Sequence, residues 1–290
     1  MLKLKLAGIA ANFLAGFLPL ASAKISYAVW AGTRRYPRKK SEQYCWEIAD
    51  KSVLSIDGER VAVYSWGGVE LGDEPSPIVL LVHGWNGRAT QYFAFIQKLV
   101  DHGYRVLAFD APGHGDSSGS QTGLLQMSRI IRALQQNHGH FEAIIGHSFG
   151  FMAAVNAVAN GVVSKAMIGI SAPSDFVLLL KAYTDYFGLT DKAILALKAY
   201  LIKRYSLTSL DEMSIHFSAK RLKLPCLVMH DEKDQQVPIS EAYKIVDAWQ
   251  ASRLHKVQDS GHSRILYKQD TVEESLGFLA KNNCAKLPNS

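Results

Sequence analysis

The pentapeptide Gly146-His147-Ser148-Phe149-Gly150 sets a serine between two glycines, after a β-like run (Glu142–Gly146) and before a helix-like one (Phe149–Ala159). A serine in a sharp strand-to-helix turn has a strained backbone, tolerable only where its neighbours let adjacent chain pass closely, hence the glycines. The turn lifts the hydroxyl clear of a sheet and aims the first N–H groups of the helix at any anion formed there. A serine hydroxyl is a poor nucleophile without a base. In this arrangement an acid and then a histidine follow the serine along the chain. His262, in Asp259-Ser260-Gly261-His262-Ser263, is the expected base, carried on a loop between the last strand and the last helix. His230 ends a strand-like run and His255 lies inside one, so both are poorer placed. Asp234, shortly before Val237-Pro238, is the expected acid. Asp231 competes for that role, and each carboxylate has a second reading as a turn cap.

Acyl chemistry at such a serine also needs two N–H donors for the developing oxyanion. The backbone of Phe149 is the first expectation. Trp85, in His83-Gly84-Trp85-Asn86-Gly87 after the apolar run Ile78–Val82, is the second. Its indole is read either as a pocket wall or as plain packing. Ser171, in Gly169-Ile170-Ser171-Ala172-Pro173, also ends a strand-like run but lacks the second glycine, so it reads as structural.

Around these residues the chain alternates short β-rich runs with helical patterns, the rhythm of a mostly parallel sheet. Ser52–Ile56 and Arg60–Trp66 form a leading pair joined by a tight turn at Asp57-Gly58. Strands are expected at Ile78–Val82, Arg105–Phe109, Glu142–Gly146, Lys165–Ile170, Pro225–His230 and Leu254–Val257. Helices are expected at Ala89–Asp101, Phe149–Ala159, Ser240–Gln250 and near Thr271–Ala280. Between Ala172 and Leu224 the alternation stops, and Asp175–Phe187, Asp191–Tyr205 and Leu210–Lys220 read as helices. Such an insertion predicts a lid over the strand ends, where ligands bind in parallel sheets. Its Phe176, Leu179, Tyr183, Tyr186 and Phe187 serve either an acyl pocket or the insertion's own core. The expected organisation is an apolar segment and basic linker over 1–50, a core over 51–171 and 225–284, and a helical lid over 172–224.

The 290 residues, 48% hydrophobic and 20% charged, suit one large α/β domain better than two. A net charge of +6 without any nucleic-acid motif gives no reason to expect a nucleic-acid partner. Cys45, Cys226 and Cys284 show neither disulfide nor metal spacing, and Cys226 sits in a buried-looking run. Oligomeric state leaves no trace in the sequence.

Lys3 and Lys5 precede an apolar stretch, Leu6–Leu20, followed by Ala21-Ser22-Ala23, the order of an export signal cleaved after Ala23. Leu2, Leu6, Ile9, Phe13, Phe17 and Leu20 recur at helical spacing, which favours a retained helix. Such a helix would bury the stripe against the body or lie in a membrane surface, giving a cytoplasmic or inner-membrane-associated protein. The basic run Arg34, Arg35, Arg38, Lys39 and Lys40 is read as a headgroup contact or a solvated linker.

Taken together, His83-Gly84, Asp110-Ala111-Pro112-Gly113-His114-Gly115-Asp116-Ser117, Gly146-His147-Ser148-Phe149-Gly150, Asp234 before Val237-Pro238, and Gly261-His262 resemble the α/β-hydrolase superfamily over roughly residues 52–282. Trp85-Asn86-Gly87-Arg88 and His262-Ser263-Arg264-Ile265-Leu266 are similar to a set of bacterial serine hydrolases. The resemblance implies an eight-stranded, mostly parallel sheet with helices on both faces, a helical lid, and no metal or organic cofactor. It also implies cleavage of an ester, thioester or lactone in a small acyl substrate, since relatives acting on halides or epoxides carry aspartate at the turn. The chain lacks the three-glycine run after the histidine found in one lipase and esterase group, so that group's substrates do not carry over.

Overall fold

The computed structural model describes residues 2–68 and 76–282. Eight strands form one sheet: β1 (Asp50–Ile56), β2 (Glu59–Trp66), β3 (Ile78–Val82), β4 (Arg105–Phe109), β5 (Phe141–His147), β6 (Ser164–Ile170), β7 (Cys226–Asp231) and β8 (Ser252–Val257). Their spatial order is β1-β2-β4-β3-β5-β6-β7-β8. β1 and β2 form an antiparallel hairpin, β2 pairs antiparallel with β4, and every later pairing is parallel. The hairpin turns at Asp57 and Gly58, both with positive φ, as a tight turn between right-twisted strands requires.

The alternation of β3 shows how the sheet divides the interior. Ile78, Leu80 and Val82 join one core layer while Val79 and Leu81 join the other. A strand buried on both faces cannot alternate apolar with polar, so it reads as a continuous apolar run. Layers of helices supply the two covers. On one side lie α5 (Leu124–His138), α6 (Phe149–Ala159) and α10 (Ser240–Ala248); on the other lie α4 (Phe93–Asp101) and α12 (Gln269–Lys281).

α5 fills the stretch between Phe109 and Phe141 for which the sequence reading offered no element. Its buried Leu124, Met127, Ile130, Ile131 and Leu134 recur every three or four residues. The start is marked only by Gly123, with no side-chain cap, and interleaved Gln, Ser and Arg dilute the stripe.

Between β6 and β7 stand α7 (Phe176–Tyr186), α8 (Asp191–Tyr205), a short 3-10 turn (Leu210–Met213) and α9 (Ile215–Ala219). Asp175 caps α7 by accepting from the N–H groups of Val177 and Leu178. Buried Glu241 of α10 accepts from the Ser174 N–H and hydroxyl and so ties the start of the insertion to the core.

The N-terminal segment is helical: α1 (Leu2–Leu14) and α2 (Pro19–Trp30) pack on each other, and α2 packs along α8. Its phase corrects one expectation, because the large apolar stripe is not buried against the body. Gly8, Ala11 and Ala15 face inward, while Leu6, Ile9, Phe13, Phe17 and Leu20 are exposed. Small residues on the inner face let the backbones approach: a Cβ on Gly8 would lie 2.9 Å from the Phe187 carbonyl oxygen. Asn12 Nδ2 donates to Gly188 O, and Asn12 Oδ1 accepts from the Thr190 N–H. Tyr183 donates to Ser26 O, and the Tyr27 and Tyr205 hydroxyls meet at 2.8 Å. Ala23, the last residue of the signal-like pattern, is buried within α2.

The basic run is not a free linker either. Arg35 donates to the carbonyls of Ser117 and Gly119, and Arg38 pairs with Asp116 at 2.8 Å above the Trp46 ring. It leads into α3 (Lys40–Glu47), whose buried Glu42 accepts from the Thr90 hydroxyl. Cys45 and Cys226 are buried free thiols, and Cys284 lies outside the described residues.

Candidate active site

Ser148 sits at the junction of β5 and α6 with φ 51° and ψ −126°, a backbone that side-chain-bearing residues rarely adopt. The strain is locked in by the neighbouring backbone. A Cβ on Gly150 would lie 2.3 Å from His83 O, and one on Gly146 would lie 2.6 Å from the Phe151 Cα. Ser148 N–H donates to Ile170 O at 2.8 Å, and the Ser148 carbonyl accepts from Phe151 N–H. The hydroxyl is thereby held above the carboxyl end of the parallel sheet.

His262 reaches it from a different element than expected. Instead of a loop, residues Gly261–Arg264 make one helical turn, α11. Nε2 of His262 lies 3.1 Å from Ser148 Oγ, and Nδ1 lies 2.8 Å from Asp234 Oδ2. The other Asp234 oxygen accepts from the N–H groups of Gln236 and Val237. Burial raises the Asp234 pKa, but the His262 hydrogen bond and these two N–H groups outweigh it and hold the carboxyl below its ordinary range.

Asp231, the rival acid, has different work. Its Oδ2 accepts from the Ser260 N–H and hydroxyl and from the Gly261 N–H at 2.7 Å. Its Oδ1 accepts from Lys233 N–H. Burial again opposes ionisation, and the Ser260 hydroxyl with the three N–H groups reverses it, so the pKa is depressed. Asp231 pins the turn that presents His262 without touching the imidazole. His230 also approaches Asp234, at 3.6 Å, but its Nε2–H donates to Val237 O at 2.8 Å.

Three more histidines shape the site as neutral groups of fixed tautomer. His147 donates from Nε2 to the His262 carbonyl at 2.8 Å, and burial, helped by nearby His262, brings its pKa down to about 3. His83 donates from Nδ1 to Gly84 O and accepts from Ala111 N–H at Nε2, with burial lowering its pKa to about 4. His114 accepts from Asn86 N–H at Nε2 and donates to Pro112 O, and burial lowers its pKa to about 3. His83 and His114 thus stake down the loop carrying Trp85, while Arg34 N–H donates to Asn86 Oδ1 from the N-terminal side. The Asp110–Ser117 stretch joins in, since Asp110 Oδ1 accepts from Ala89 N–H just beyond the loop.

Phe149 N–H is the first of α6, where no intrahelical acceptor exists, and neither it nor Trp85 N–H donates to an acceptor among the described residues. The Trp85 indole meets Phe149 edge-on at 5.1 Å and walls the cavity.

That cavity, ≈ 530 Å³, opens over Ser148 and His262. Leu179, Tyr183, Tyr186 and Phe187 of the insertion line it. Phe176 does not; it is buried edge-on to Trp30. Val29 and Trp30 of α2 form part of the wall, and Trp30 contacts Trp85 and Tyr183. Nothing in the local pattern of residues 19–30 marks them as site residues, because only the tertiary packing of α2 on the insertion brings them there. Ser171 has φ 49°, is fully buried and does not line the cavity, and its hydroxyl has no partner among the described residues. Among the described residues no group of three or more His, Cys, Asp or Glu is placed to hold a metal ion.

The chain is 25% identical over 248 residues to the monoacylglycerol lipase of Mycolicibacterium smegmatis, covering 71% of this chain and 86% of that one. It is 30% identical over 145 residues to epoxide hydrolase A of Mycobacterium tuberculosis, covering 47% of this chain and 44% of that one. The first three curated relatives are matched over only 31–44% of their own lengths. Among solved structures, a membrane phospholipase A described as a bacterial virulence factor superposes with TM-score 0.61 at 16% identity. That superposition covers 98% of this chain and 97% of the other, so the likeness of fold extends through the N-terminal helices. The model of the alpha/beta hydrolase family matches residues 79–274, from β3 into the first half of α12, and the chain belongs to that family.

Proposed function

We propose that the protein is a serine hydrolase that cleaves a carboxylic ester or related acyl bond through an acyl-enzyme on Ser148. His262 takes the Ser148 proton as Oγ attacks the carbonyl, and Asp234 holds the imidazole in one tautomer and stabilises its cation. The tetrahedral oxyanion rests on the N–H groups of Phe149 and Trp85, donors that are positioned before the charge develops. His262 then protonates the leaving alcohol or thiol, and water activated by the same imidazole releases the acid. The single observation that carries this reading is the relay Ser148 Oγ to His262 Nε2 to Asp234 Oδ2, at 3.1 and 2.8 Å, beside two unspent N–H groups.

The cavity supports an apolar acyl group. Trp30, Leu179, Tyr183 and Phe187 offer it a wall, and the insertion acts as the lid that keeps water off the reacting centre. The likeness to a monoacylglycerol lipase agrees with an oxygen ester of a fatty acid. Epoxide hydrolase chemistry is disfavoured by serine, rather than aspartate, at position 148.

A fluorophosphonate probe tests the reading: it should label the folded protein, and the label should vanish in Ser148→Ala. Undiminished labelling of that variant would place the reactive hydroxyl elsewhere.

A further inference from the structure

The face of the N-terminal helical pair turned away from the body is built the wrong way round for water. On α1, Leu6, Ile9 and Phe13 lie on the outside at helical spacing, with Ile9 65% and Phe13 72% exposed. The connection and first turn of α2, where polar residues usually sit, read Phe17-Leu18-Pro19-Leu20, and Phe17, Leu18 and Leu20 are each more than half exposed. Phe13 and Phe17 stack edge-on at 5.2 Å, so the patch is continuous across the turn. Part of the backbone at the tip is already paired: Phe17 and Leu18 N–H donate to Leu14 O, and Ser22 N–H donates to Leu18 O. The Leu20 and Ala21 N–H groups, in the uncapped first turn of α2, have no acceptor among the described residues and suit headgroup oxygens.

Charge selects the occupant. Residues 1–41 carry eight Lys and Arg and no Asp or Glu, so the whole positive balance of the chain resides there and the remainder is slightly acidic. Lys5 and Lys24 are exposed, one beside Leu6 and the other a turn beyond Leu20. A second copy of the chain docked face to face would bring like charges together. An anionic bilayer satisfies both the apolar tip and the exposed Lys5 and Lys24 beside it. Crossing the bilayer is not what this geometry serves: no described helix is long and apolar enough, and the 13 residues of α1 span about 20 Å against a core of about 30 Å.

We infer that this face docks the protein on an anionic lipid surface, with the Phe17-Leu18-Pro19-Leu20 tip buried among the headgroups and acyl ends. The inner face of the helix that carries the patch packs on the cavity wall. Gly8 of α1 packs on Phe187, and Phe187 together with Tyr186, itself 72% exposed, lines the space above Ser148. A lipid acyl chain therefore has a short apolar route from the bilayer over Tyr186 to the serine. That consequence rests on the acyl-hydrolase reading; the docking does not.

Flotation of the full chain with vesicles separates the two. Wild type should float with phosphatidylcholine vesicles containing phosphatidylglycerol, less with phosphatidylcholine alone, and less again at high salt. The variant Phe13→Ser/Phe17→Ser/Leu18→Ser should lose roughly tenfold or more of the bound fraction, since three apolar side chains leave the interface. Lys5→Gln/Lys24→Gln should lose the preference for phosphatidylglycerol. Both variants should keep wild-type turnover of a soluble short-chain ester. Equal flotation of the triple variant would overturn the inference. So would a wild-type dimer that fails to float and that the triple substitution dissociates. Flotation without any esterase activity in wild type would instead leave the docking standing and remove the proposed reaction.

Discussion

Two helices start from very different ground in this molecule. α6 begins at Ser148 with a strained backbone, glycines pressed against neighbouring chain, and nearly every residue buried. Among its described side chains, those α1 hides are small and the large apolar Leu6, Ile9 and Phe13 turn outward. At the first, close packing forces a polar atom into a position it would not otherwise occupy, and the gain is a hydroxyl held against an imidazole. At the second, close packing is achieved with glycine and alanine, leaving the costly surface free to meet something other than water. The lesson is that burial alone does not single out a candidate working surface: one region stands out because it is over-determined, the other because it is left unfinished.

The largest expected effects test the first region. Ser148→Ala and His262→Ala should each lower kcat on a soluble ester by about four to six orders of magnitude, with an unchanged circular dichroism melt. Asp234→Asn should cost about three to four orders, through the wrong imidazole tautomer. Asp231→Asn should act on the support rather than the chemistry, lowering the melting temperature and costing at most about tenfold in kcat. A reversed ranking of the two aspartates in steady-state kinetics would move the acid to position 231.

Gly150→Ala sharpens the contrast in packing. Its Cβ would meet the His83 carbonyl backbone, which cannot move without dragging β3, so a loss above about 4 kcal/mol or failure to fold is expected by urea denaturation. Gly8→Ala meets the Phe187 carbonyl at 2.9 Å on a helix that can shift outward, so its loss should be smaller, about 1 to 2 kcal/mol.

Acid should discriminate between the regions next. His83, His114 and His147 are neutral when folded, with pKa values lowered to about 4, 3 and 3. A lowered pKa means the unfolded chain takes up protons first, so this stability is complete above about pH 6.5 and declines as pH falls toward 4. Each histidine should cost about 1 kcal/mol of stability at pH 5.5. The depressed Asp231 and Asp234 add their losses only below the ordinary carboxylate range. Urea midpoints from pH 7.5 to 5 should therefore fall, and His114→Gln should flatten the curve; a flat wild-type profile would mean these rings are not buried neutral. The smallest effect belongs to the second region: Phe13→Ser with Phe17→Ser should change the melt by no more than about 0.5 kcal/mol, because neither ring supports the fold.

How far residues alone foretell this structure follows from the range of the forces involved. β3, β4 and α6 were legible to the residue because a buried strand and a small-residue helix after a glycine turn are local signals. That Ser148, Asp234 and His262 could meet was suggested by chain order and by their places after strands, and the structure brings the three side chains together. Which aspartate faces the imidazole rests on the fold of the turn at Asp231, and both carboxylates precede the same Val237-Pro238. The phase of α1 was not legible: a stripe at helical spacing reports a face, but not whether the body takes that face or the alanines opposite it. Trp30 reaches the cavity only through α2 packing on the insertion, a contact spanning well over a hundred residues of chain.

The central claim is that an acyl group passes through Ser148. Acid quenching during turnover of a slowly deacylating p-nitrophenyl ester, followed by peptide mass spectrometry, tests it directly. The account predicts an acyl mass increment on the peptide containing Ser148, absent in Ser148→Ala and accumulating in His262→Ala only if acylation survives without the base. Turnover with no covalent acyl at Ser148, or with the increment on another residue such as Ser171, would contradict it.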